Sequence, residues 1–498
     1  TPHPMVGRVG VLPQVQSCFR AGLANGQGLA GSAAAPLLAA PTGAGHRTCM
    51  LTTRSARRAL DSGFASRTLA RGHPRQGSMQ DSLACRAVAT DATEASTEVN
   101  YSDLPTLSWR AALDFKAVRE NVEEVEANCA RRKADANPRK VIELYEEWAK
   151  TSEEVNKVRA ERNAVAGSMK GKMEKEQRDE LIAKGKALKE KLEDMESALT
   201  VLDNALQYEG KKLPNDTHPE VPEGGEENAT LIKEVGAQRD FGFPHKNHAD
   251  LGEALGMFNF ERGAEVSGAK FYYLQNAGAM LELALVNWTM SKLVSRGFTP
   301  MMTPDLVRES VLEKCGFQPR GNETQVYSVE GSDLCLTGTQ EIPLAGVYMD
   351  QVLEEKQLPI KMCAFGHCFR TEAGAAGLST KGLYRVHQFS KVEMFALSTP
   401  EESDALHKEL IELEIEMFTE LGLHFKTLDM PMHDLGAPAY RKFDVEAWMP
   451  GLDRYGEISS ASNCTDYQAR RLNIRYRPAA AAAVAAEEEA GAAAEEDK

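Results

Sequence analysis

Several sequence patterns are missing from this chain, and each absence excludes a class of protein. No stretch of about eighteen apolar residues occurs, so the sequence offers no candidate membrane span. No Walker-type Gly-Lys-Ser/Thr motif is present, and no Gly-x-Gly-x-x-Gly run follows an expected strand, so neither nucleotide-binding class is indicated. The nine cysteines include no Cys-x-x-Cys pair, which argues against a zinc site and favours reduced, buried thiols.

The first 90 residues lack lysine and almost lack acids. Ten arginines against two aspartates give this segment a charge of +8, which leaves −23 for the remainder of a chain whose formal charge is −15. An Arg-rich, Ser-rich, acid-poor composition is typical of a cleaved organellar transit peptide. We therefore predict a disordered transit peptide over residues 1–95 and a location in the chloroplast and/or mitochondrion. A basic arm that is retained to bind nucleic acid is the alternative.

Between residues 96 and 213 the composition changes to Glu, Lys, Ala and Leu, and seam positions recur at spacings of three and four. The first series contains Val141, Leu144, Trp148, Thr151, Val155, Val158, Arg162, Val165 and Met169, and the second contains Leu181, Gly185, Leu188, Leu192, Met195, Leu199, Leu202 and Leu206. A polar segment from 167 to 178 separates the two series, which predicts an antiparallel helical hairpin. At 1.5 Å per residue each helix would extend roughly 40 Å.

The first helix and the tip of this hairpin are basic within an acidic protein. The basic residues are Arg131, Arg132, Lys133, Lys157, Arg159, Arg162, Lys170, Lys172 and Lys175. Such a stripe would attract a nucleic-acid backbone, because neutralising phosphates supplies most of the sequence-independent affinity. An ordinary solvated helix face is the alternative for each of these residues taken singly.

The segment from Phe369 to Glu393 combines charged residues with glycines. Arg370 and Glu372 open it, three glycines follow, and alternation returns over residues 386–393. This pattern predicts two strands joined by a long loop, with the charged side chains on the strands. A guanidinium beside carboxylates suits a ligand with phosphate, ammonium and hydroxyl groups, since Arg forks onto phosphate oxygens and Glu accepts from amines. A plain surface loop is the alternative.

The same segment resembles motif 2 of class II aminoacyl-tRNA synthetases, and in detail that of the seryl-tRNA synthetases. Gly297 and Pro304 have the spacing of motif 1, from which the family builds its dimer interface, so a homodimer is implied. The run 457–477, EISSASNCTDYQARRLNIRYR, resembles the strand region before motif 3 in the seryl enzymes. No HIGH-like or KMSKS-like stretch is present, which disfavours a class I synthetase.

The resemblance implies an enzyme that activates L-serine with ATP to seryl-adenylate and transfers it to tRNA(Ser), and it leaves tRNA(Sec) open as a second substrate. It also implies a set of site residues. These would be Arg370, Glu372 and Glu393 for catalysis; Thr339, Gln340, Glu341, Arg370 and Glu393 for serine; Arg370, Thr371, Glu372, Val386, Glu457, Ile458, Ser459 and Ser460 for ATP; and Glu457 and Ser460 for Mg²⁺.

The resemblance also assigns roles. Arg370 would bridge the serine carboxylate and the α-phosphate, Glu372 would read the adenine amino group, and Glu393 would accept from the serine hydroxyl. Thr339 and Glu341 lie two apart, so on an extended strand they would face one side, where they would bind the serine ammonium. The loop 375–384 would touch the acceptor end of the tRNA, and the helical hairpin would embrace its long variable arm.

The predicted fold is α+β. A tRNA-binding helical arm (96–213) is followed by a catalytic domain (214–478) in which a mostly antiparallel sheet is flanked by helices. Helices are expected near 277–295 and 401–421, and the Pro- and Gly-rich segment 211–233 is expected to be a linker.

No match to motif 3 follows Arg477, where an Ala/Glu-rich tail (479–498), predicted to be disordered, begins. Our first interpretation is a working enzyme whose catalytic domain is truncated in the given chain. One alternative is a catalytically inactive, synthetase-like tRNA-binding protein. Another is a coiled-coil protein with an unrelated α/β domain.

Overall fold

A computed structural model of the chain describes residues 3–4, 100–103, 109–171, 174–317, 325–372 and 382–479. The predicted transit peptide apart from His3–Pro4, the predicted tail apart from Ala479, and residues 172–173 of the hairpin tip lie outside these ranges. The helices are α1 (Phe115–Glu120), α2 (Val122–Arg131), α3 (Pro138–Ser168), α4 (Lys175–Gly210), α5 (His248–Ala254), α6 (Phe260–Ser267), α7 (Ala277–Ser295), α8 (Glu309–Lys314), α9 (Glu341–Gly346), α10 (Ser403–Glu420) and α11 (Tyr467–Arg471). The strands are β1 (His3–Pro4), β2 (Thr230–Val235), β3 (Phe258–Asn259), β4 (Tyr273–Leu274), β5 (Thr299–Met302), β6 (Leu306–Arg308), β7 (Leu334–Leu336), β8 (Val352–Glu354), β9 (Ile360–Phe369), β10 (Gln388–Leu397), β11 (Phe425–Asp429), β12 (Arg441–Met449), β13 (Arg454–Asn463) and β14 (Arg475–Arg477).

Helices α3 and α4 form the predicted antiparallel hairpin. Helix α3 begins where the Asn137 side chain accepts from the backbone N–H of Lys140 at 3.0 Å, with Pro138 in the first turn. The seam is lined by buried residues from both helices: Val155, Val158, Val165, Leu188 and Leu192. Arg162, which the spacing placed in the seam, is exposed instead, because its charge is solvated on the outer face.

The segment predicted as a linker, 211–233, packs against the catalytic domain. Asn215 is 4% exposed and donates to the carbonyls of Pro438 and Cys464, both at 2.9 Å. The last four residues of the segment, 230–233, belong to β2. The segment connects α4 to β2, and it is held in place by hydrogen bonds that a Pro- and Gly-rich sequence does not reveal.

Arg132 is not part of an exposed basic stripe. It is 5% exposed and donates to the carbonyls of Asn215 at 2.7 Å and Gly436 at 2.6 Å. This guanidinium satisfies backbone oxygens between the foot of the arm and the catalytic domain, so its predicted availability to nucleic acid is wrong.

Two sheets make up most of the catalytic domain. One has the strand order β10-β9-β5 and the other β13-β12-β11-β2. All of these neighbours are antiparallel except β5 and β9, which are parallel. A smaller sheet, β1-β14-β8, pairs β14 and β8 in parallel.

Helices α7 and α10 lie where helices were predicted, and they pack on these sheets. The largest apolar cluster takes residues from both helices and both sheets, among them Leu293, Leu410, Phe418 and Phe425, each 2% exposed or less. Burying a side chain of this size contributes about 1.5–3 kcal/mol. The predicted α+β architecture, a helical arm followed by a mostly antiparallel sheet domain with flanking helices, is confirmed.

The cysteines in the described ranges are buried free thiols, as predicted. They are Cys129, Cys315, Cys335, Cys363, Cys368 and Cys464. Burial raises the pKa of Cys129, Cys363 and Cys368 to about 11, so these thiols stay protonated at neutral pH.

None of the helices in the described ranges combines the length and the apolar composition that a bilayer crossing requires.

Candidate active site

The candidate site is built on the antiparallel pair β9–β10, which the sequence predicted. Lys391 lies opposite Gly366 and Glu393 lies opposite Ala364, so the two charged side chains share one face. The position of Gly366 requires glycine, because the amide group of Gln340 lies 2.3 Å from where a Cβ would be. Gln340 is fully buried, and its Nε2 donates to the carbonyl of His367 at 2.7 Å.

Thr339, Lys391 and Glu393 form a buried polar cluster in which each is 2% exposed or less. The Thr339 hydroxyl donates to Glu393 Oε2 at 2.7 Å. The Lys391 ammonium contacts both the Thr339 hydroxyl and Glu393 Oε2. A buried carboxylate is stable when it is paired and hydrogen-bonded, and Lys391 supplies that pairing.

The two oxygens of the Glu393 carboxylate have different surroundings. Glu393 Oε1 is buried, and it has no hydrogen-bond partner among the residues that the structure describes. Because an unsatisfied buried acceptor costs about 1–3 kcal/mol, a ligand that donates to Oε1 would regain that energy.

Thr339 and Glu341 do not share a strand. Strand β7 ends at Leu336, Thr339 lies in the following connection, and Glu341 is the first residue of the short helix α9. The strand prediction is therefore wrong. Both side chains are nevertheless buried, at 2% exposure each.

Arg370 and Glu372 lie beyond the end of β9 rather than on it, so their predicted placement on a strand is also wrong. The guanidinium of Arg370 lies over the ring of Phe389, 5.2 Å from its centroid, and its Nε donates to the carbonyl of Gly338 at 3.4 Å. Glu372 forms an ion pair with Arg385 at 2.9 Å.

The remaining residues of this segment have less polar surroundings. Val386 is 3% exposed and packs against Cys368 and Phe389. The backbone N–H of Thr371 donates to the carbonyl of Gln325 at 3.3 Å. Of the loop 375–384, predicted to touch tRNA, residues 375–381 lie outside the described residues.

A β-bulge brings the two predicted metal ligands together. In a regular strand, side chains three apart such as those of Glu457 and Ser460 point to opposite faces. The pairing of β12 with β13 skips Ile458, so Glu457 lies opposite Glu446 and Ser460 lies opposite Asp444. Because opposed residues project from the same face, and Asp444 and Glu446 are two apart, Glu457 and Ser460 share a face.

Ile458 and Ser459 contribute to the core rather than to this face. Both are fully buried, and the hydroxyl of Ser459 donates to Glu414 on α10 at 2.6 Å. Burial raises the pKa of Glu414 well above its usual range, and the nearby charges of Glu393 and Glu457 raise it further. The buried cluster at Glu393 and the face that carries Glu457 are thus both within electrostatic range of one buried carboxyl.

Asp444 and Lys442 project from the same face as Glu457 and Ser460, and sequence reasoning missed them. They form an ion pair at 2.9 Å. Burial raises the pKa of Asp444 to about 7, the ammonium of Lys442 opposes the rise, and the charges of Glu457 and Glu446 add to it. The alternation Lys-x-Asp-x-Glu over 442–446 is the signal that could have identified this face.

Lys391 was also missed as a site residue, although it stands two positions before Glu393 in a strand that the sequence predicted. Period-two alternation places the two side chains on one face. That reasoning, applied to the Lys-x-Glu pair, would have found the ion pair.

Two family profiles match the chain. Residues 112–217 match the profile described as the seryl-tRNA synthetase N-terminal domain. Residues 325–485 match the profile described as the tRNA synthetase class II core domain (G, H, P, S and T).

Curated relatives share close to half of their residues with this chain. The serine–tRNA ligase of Treponema denticola is 48% identical over 368 residues, which are 73% of this chain and 87% of the relative. The serine–tRNA ligase of Rubrobacter xylanophilus is 46% identical over 74% of this chain and 87% of its own length.

Solved structures show the same similarity. The seryl-tRNA synthetase of Pyrococcus horikoshii, crystallised with ATP, superposes with a TM-score of 0.67 at 39% identity, over 74% of this chain and 87% of that chain. The cytoplasmic serine–tRNA ligase of Naegleria fowleri, in complex with AMP, gives a TM-score of 0.63 at 31% identity, over 73% and 86% of the two chains.

Proposed function

This chain belongs to the seryl-tRNA synthetase family, and from that premise we propose that it attaches L-serine to tRNA(Ser) in two steps at the site around Glu393. Its homology makes it an aminoacyl-tRNA ligase, and the relative crystallised with ATP supports ATP as its substrate. The observation that carries the proposed use of the site is the buried Oε1 of Glu393, which has no hydrogen-bond partner among the described residues.

Selectivity for serine would follow from a hydrogen bond to Glu393 Oε1. The serine hydroxyl would donate to Glu393 Oε1, while Lys391 and Thr339 hold Oε2. Alanine lacks the hydroxyl and would leave the buried acceptor unsatisfied, at a cost of about 1–3 kcal/mol or more for a charged group. Thr339 and Glu341 would receive the substrate ammonium.

Adenylation requires two anions to meet. The carboxylate of serine attacks the α-phosphorus of ATP, a P–O bond forms, and pyrophosphate leaves. Arg370 stands at the mouth of the hairpin, where its guanidinium would bridge both anions, and positioning with cationic stabilisation supplies most of such a rate enhancement. In the second step a terminal ribose hydroxyl of tRNA attacks the carbonyl carbon, and AMP leaves.

Glu457 and Ser460 would hold Mg²⁺. The bulge puts one carboxylate and one hydroxyl on the same face, which fits an ion that takes few protein oxygens and completes its shell with phosphates and water. When bound, Mg²⁺ supplies neutralisation of phosphate charge. Glu457 and Ser460 orient the nucleotide on the sheet.

The proposal extends to partners and location. The helical arm would bind the variable arm of tRNA(Ser). An aminoacylation assay with transcripts of tRNA(Ser) and tRNA(Sec) decides whether tRNA(Sec) is also a substrate.

Exposed apolar residues on α7 support a homodimer. The Arg-rich composition of residues 1–90 supports an organellar location, in chloroplast or mitochondrion.

The test is serine-dependent exchange of pyrophosphate into ATP. The wild type should exchange, and Glu393→Gln should lower kcat/KM for serine about a hundredfold, as expected when a charged hydrogen bond of up to 3 kcal/mol is lost. The KM for ATP should stay unchanged. Gln is preferred to Ala, because its amide oxygen can still accept a hydrogen bond from the Lys391 ammonium, whereas Ala leaves that buried ammonium with neither a charge partner nor this acceptor.

The exposed Glu401→Gln is the matched control, and it should exchange like the wild type. Wild-type kinetics in Glu393→Gln would contradict the assignment of the serine pocket. A wild-type protein that binds tRNA(Ser) but never exchanges pyrophosphate would favour the catalytically inactive alternative.

A further inference from the structure

Gln468 on α11 is a buried polar residue that the proposed reaction does not use. It is 4% exposed, and its Nε2 donates to the carbonyl of Cys315 at 3.0 Å. The same amide nitrogen donates to Oε1 of Glu341. We propose that Gln468 is a positioning residue for serine recognition, which holds the carboxylate of Glu341 in the orientation that receives the substrate ammonium. This proposal rests on the proposed function of the site.

The location of Glu341 explains why it needs such support. It is the first residue of a six-residue helix, so its side chain is flanked by no preceding turn of that helix. A carboxylate that is 2% exposed must be hydrogen-bonded, and the direction of the donor fixes its rotamer. Gln468 supplies a donor from a separate element.

The chemistry of the donor suits this role. A primary amide is neutral, so it orients the carboxylate without cancelling the negative charge that an ammonium ligand needs. Glu393 is held differently, because the cation Lys391 contacts its Oε2. A carboxylate beside a cation attracts a second cation less strongly, but it can still accept a hydrogen bond from a neutral hydroxyl. The Gln468 amide is neutral, so it does not weaken the attraction between Glu341 and an ammonium.

Gln468 is itself fixed by the foot of the helical arm. Helix α11 has five residues, so its position depends on tertiary contacts. Arg471 is 2% exposed and donates to the carbonyl of Lys211, the residue that follows α4, at 3.3 Å. Asn215 donates to the carbonyl of Cys464 and to the hydroxyl of Thr465, each at 2.9 Å, just before α11.

The decisive experiment separates positioning from ordinary packing. Gln468→Met keeps the length of the side chain and removes both hydrogen bonds. We expect the KM for serine to rise on the order of tenfold in pyrophosphate exchange, with the KM for ATP unchanged. Gln468→Asn keeps the amide but is one methylene too short to reach Glu341, so it provides a second variant with the same expected effect.

A buried glutamine away from the pocket provides the matched control. Gln207 on α4 is 6% exposed and accepts from the backbone N–H of Ala111 at 3.0 Å. Gln207→Met should lower the melting temperature without changing the KM for serine. If Gln468→Met behaves like Gln207→Met, Gln468 only packs and the proposal is overturned.

A double-mutant cycle with Glu341→Gln completes the test. If Gln468 acts through Glu341, the two effects on the KM for serine should be strongly non-additive. Additive effects would overturn the positioning role. Failure of the proposed function is a distinct result, since the wild type would then show no serine-dependent exchange at all.

Discussion

At the scale of single residues, burial decides which groups keep their charge. Glu393 is fully buried yet is paired with Lys391, whereas Glu414 is fully buried and has the hydroxyl of Ser459 as its donor. Burial accordingly raises the pKa of Glu414 well above its usual range, which favours the neutral acid. Glu393 has the same exposure as Glu414, and it has the Lys391 ammonium beside it.

His407 is a third buried titratable group, and it affects stability. It is 2% exposed, its ring stacks on Phe443 with centroids 4.5 Å apart, and its Nε2 lies 3.0 Å from the carbonyl oxygen of Ala461. Burial lowers the pKa of His407 from 6.5 to about 4. The folded protein therefore keeps this imidazole neutral over a pH range in which the unfolded chain protonates it.

This difference predicts a loss of stability in acid. Between pH 6.5 and 4 the unfolded state binds a proton that the native state does not, so the free energy of unfolding falls by up to about 1.4 kcal/mol per pH unit. Above pH 7 the group has no effect. In urea titrations His407→Gln should lose stability at pH 7, through poorer packing, and lose less than the wild type when the pH is lowered to 5.

Exposed His245 is the control, and His245→Gln should keep the wild-type difference between the two pH values. An unchanged pH dependence in His407→Gln would mean that other groups cause the acid sensitivity.

At the scale of elements, long periodic patterns could be predicted from the sequence and short irregular ones could not. The helical hairpin repeats its seam along α3, of 31 residues, and α4, of 36 residues, and alternation runs over residues 386–393 into β10, so each pattern is long enough to be specific. The roles of individual charges were less predictable. Arg132 belongs to a basic run in the sequence, but in the fold its guanidinium donates hydrogen bonds to backbone carbonyls.

Two features of the site depend on tertiary geometry. Helix α9 has six residues with Pro343 in its first turn, a position where proline is tolerated, and so short a helix leaves no periodic signal. The bulge at Ile458 exists only as a shift in pairing between β12 and β13. Sequence spacing alone therefore assigned Thr339 and Glu341 to a strand, and it could not show that Glu457 and Ser460 share a face.

The helical arm allows a prediction about tRNA binding. Arg162 and Lys170 are exposed and form no ion pair with any residue in the described part of the chain, so both are available to phosphates. The double variant Arg162→Gln/Lys170→Gln should raise the KM for tRNA(Ser) several-fold in aminoacylation. It should also reduce the salt dependence of tRNA binding by about one unit of log–log slope per lost phosphate contact.

Arg159 is the matched control on the same helix, because its guanidinium is already paired with Glu196 at 2.7 Å. Arg159→Gln should change tRNA binding less than the double variant does. Pyrophosphate exchange should be normal in all of these proteins, since the arm is distant in sequence from the adenylation site. Equal tRNA affinity in the double variant and the wild type would contradict a role for these two residues.

At the scale of the whole molecule, the arm and the catalytic domain are joined by polar contacts. Asn128 on α2 donates to the carbonyl of Asn215 at 3.0 Å, and the indole of Trp109 donates to Glu313 on α8 at 2.7 Å. Asn215 in turn bonds the catalytic domain. The base of the arm is thus held against the catalytic domain by hydrogen bonds that are mostly buried.

The catalytic domain also carries an exposed apolar surface around the segment that resembles motif 1. Met280 and Leu283 on α7 are 65% and 60% exposed, and Met302 at the end of β5 is 87% exposed. Leu283 also lines a cavity of about 350 Å³, together with Phe271 and Tyr272 and with residues of β9 and β10. Apolar residues grouped around a concavity mark surfaces that associate with another protein.

This surface predicts that the proposed homodimer depends on α7. Leu283→Glu would place a charge where an apolar contact is expected, and desolvating an unpaired carboxylate costs several kcal/mol, so the dimer should dissociate to monomers. Sedimentation equilibrium measures the masses directly. Ile182→Glu on α4, where Ile182 is 51% exposed, is the control for adding a charge to an exposed apolar position, and it should stay dimeric. If Leu283→Glu has the same dimer affinity as Ile182→Glu, Leu283 is not part of the dimer interface. A contact that buries Leu283 cannot accept this carboxylate without weakening.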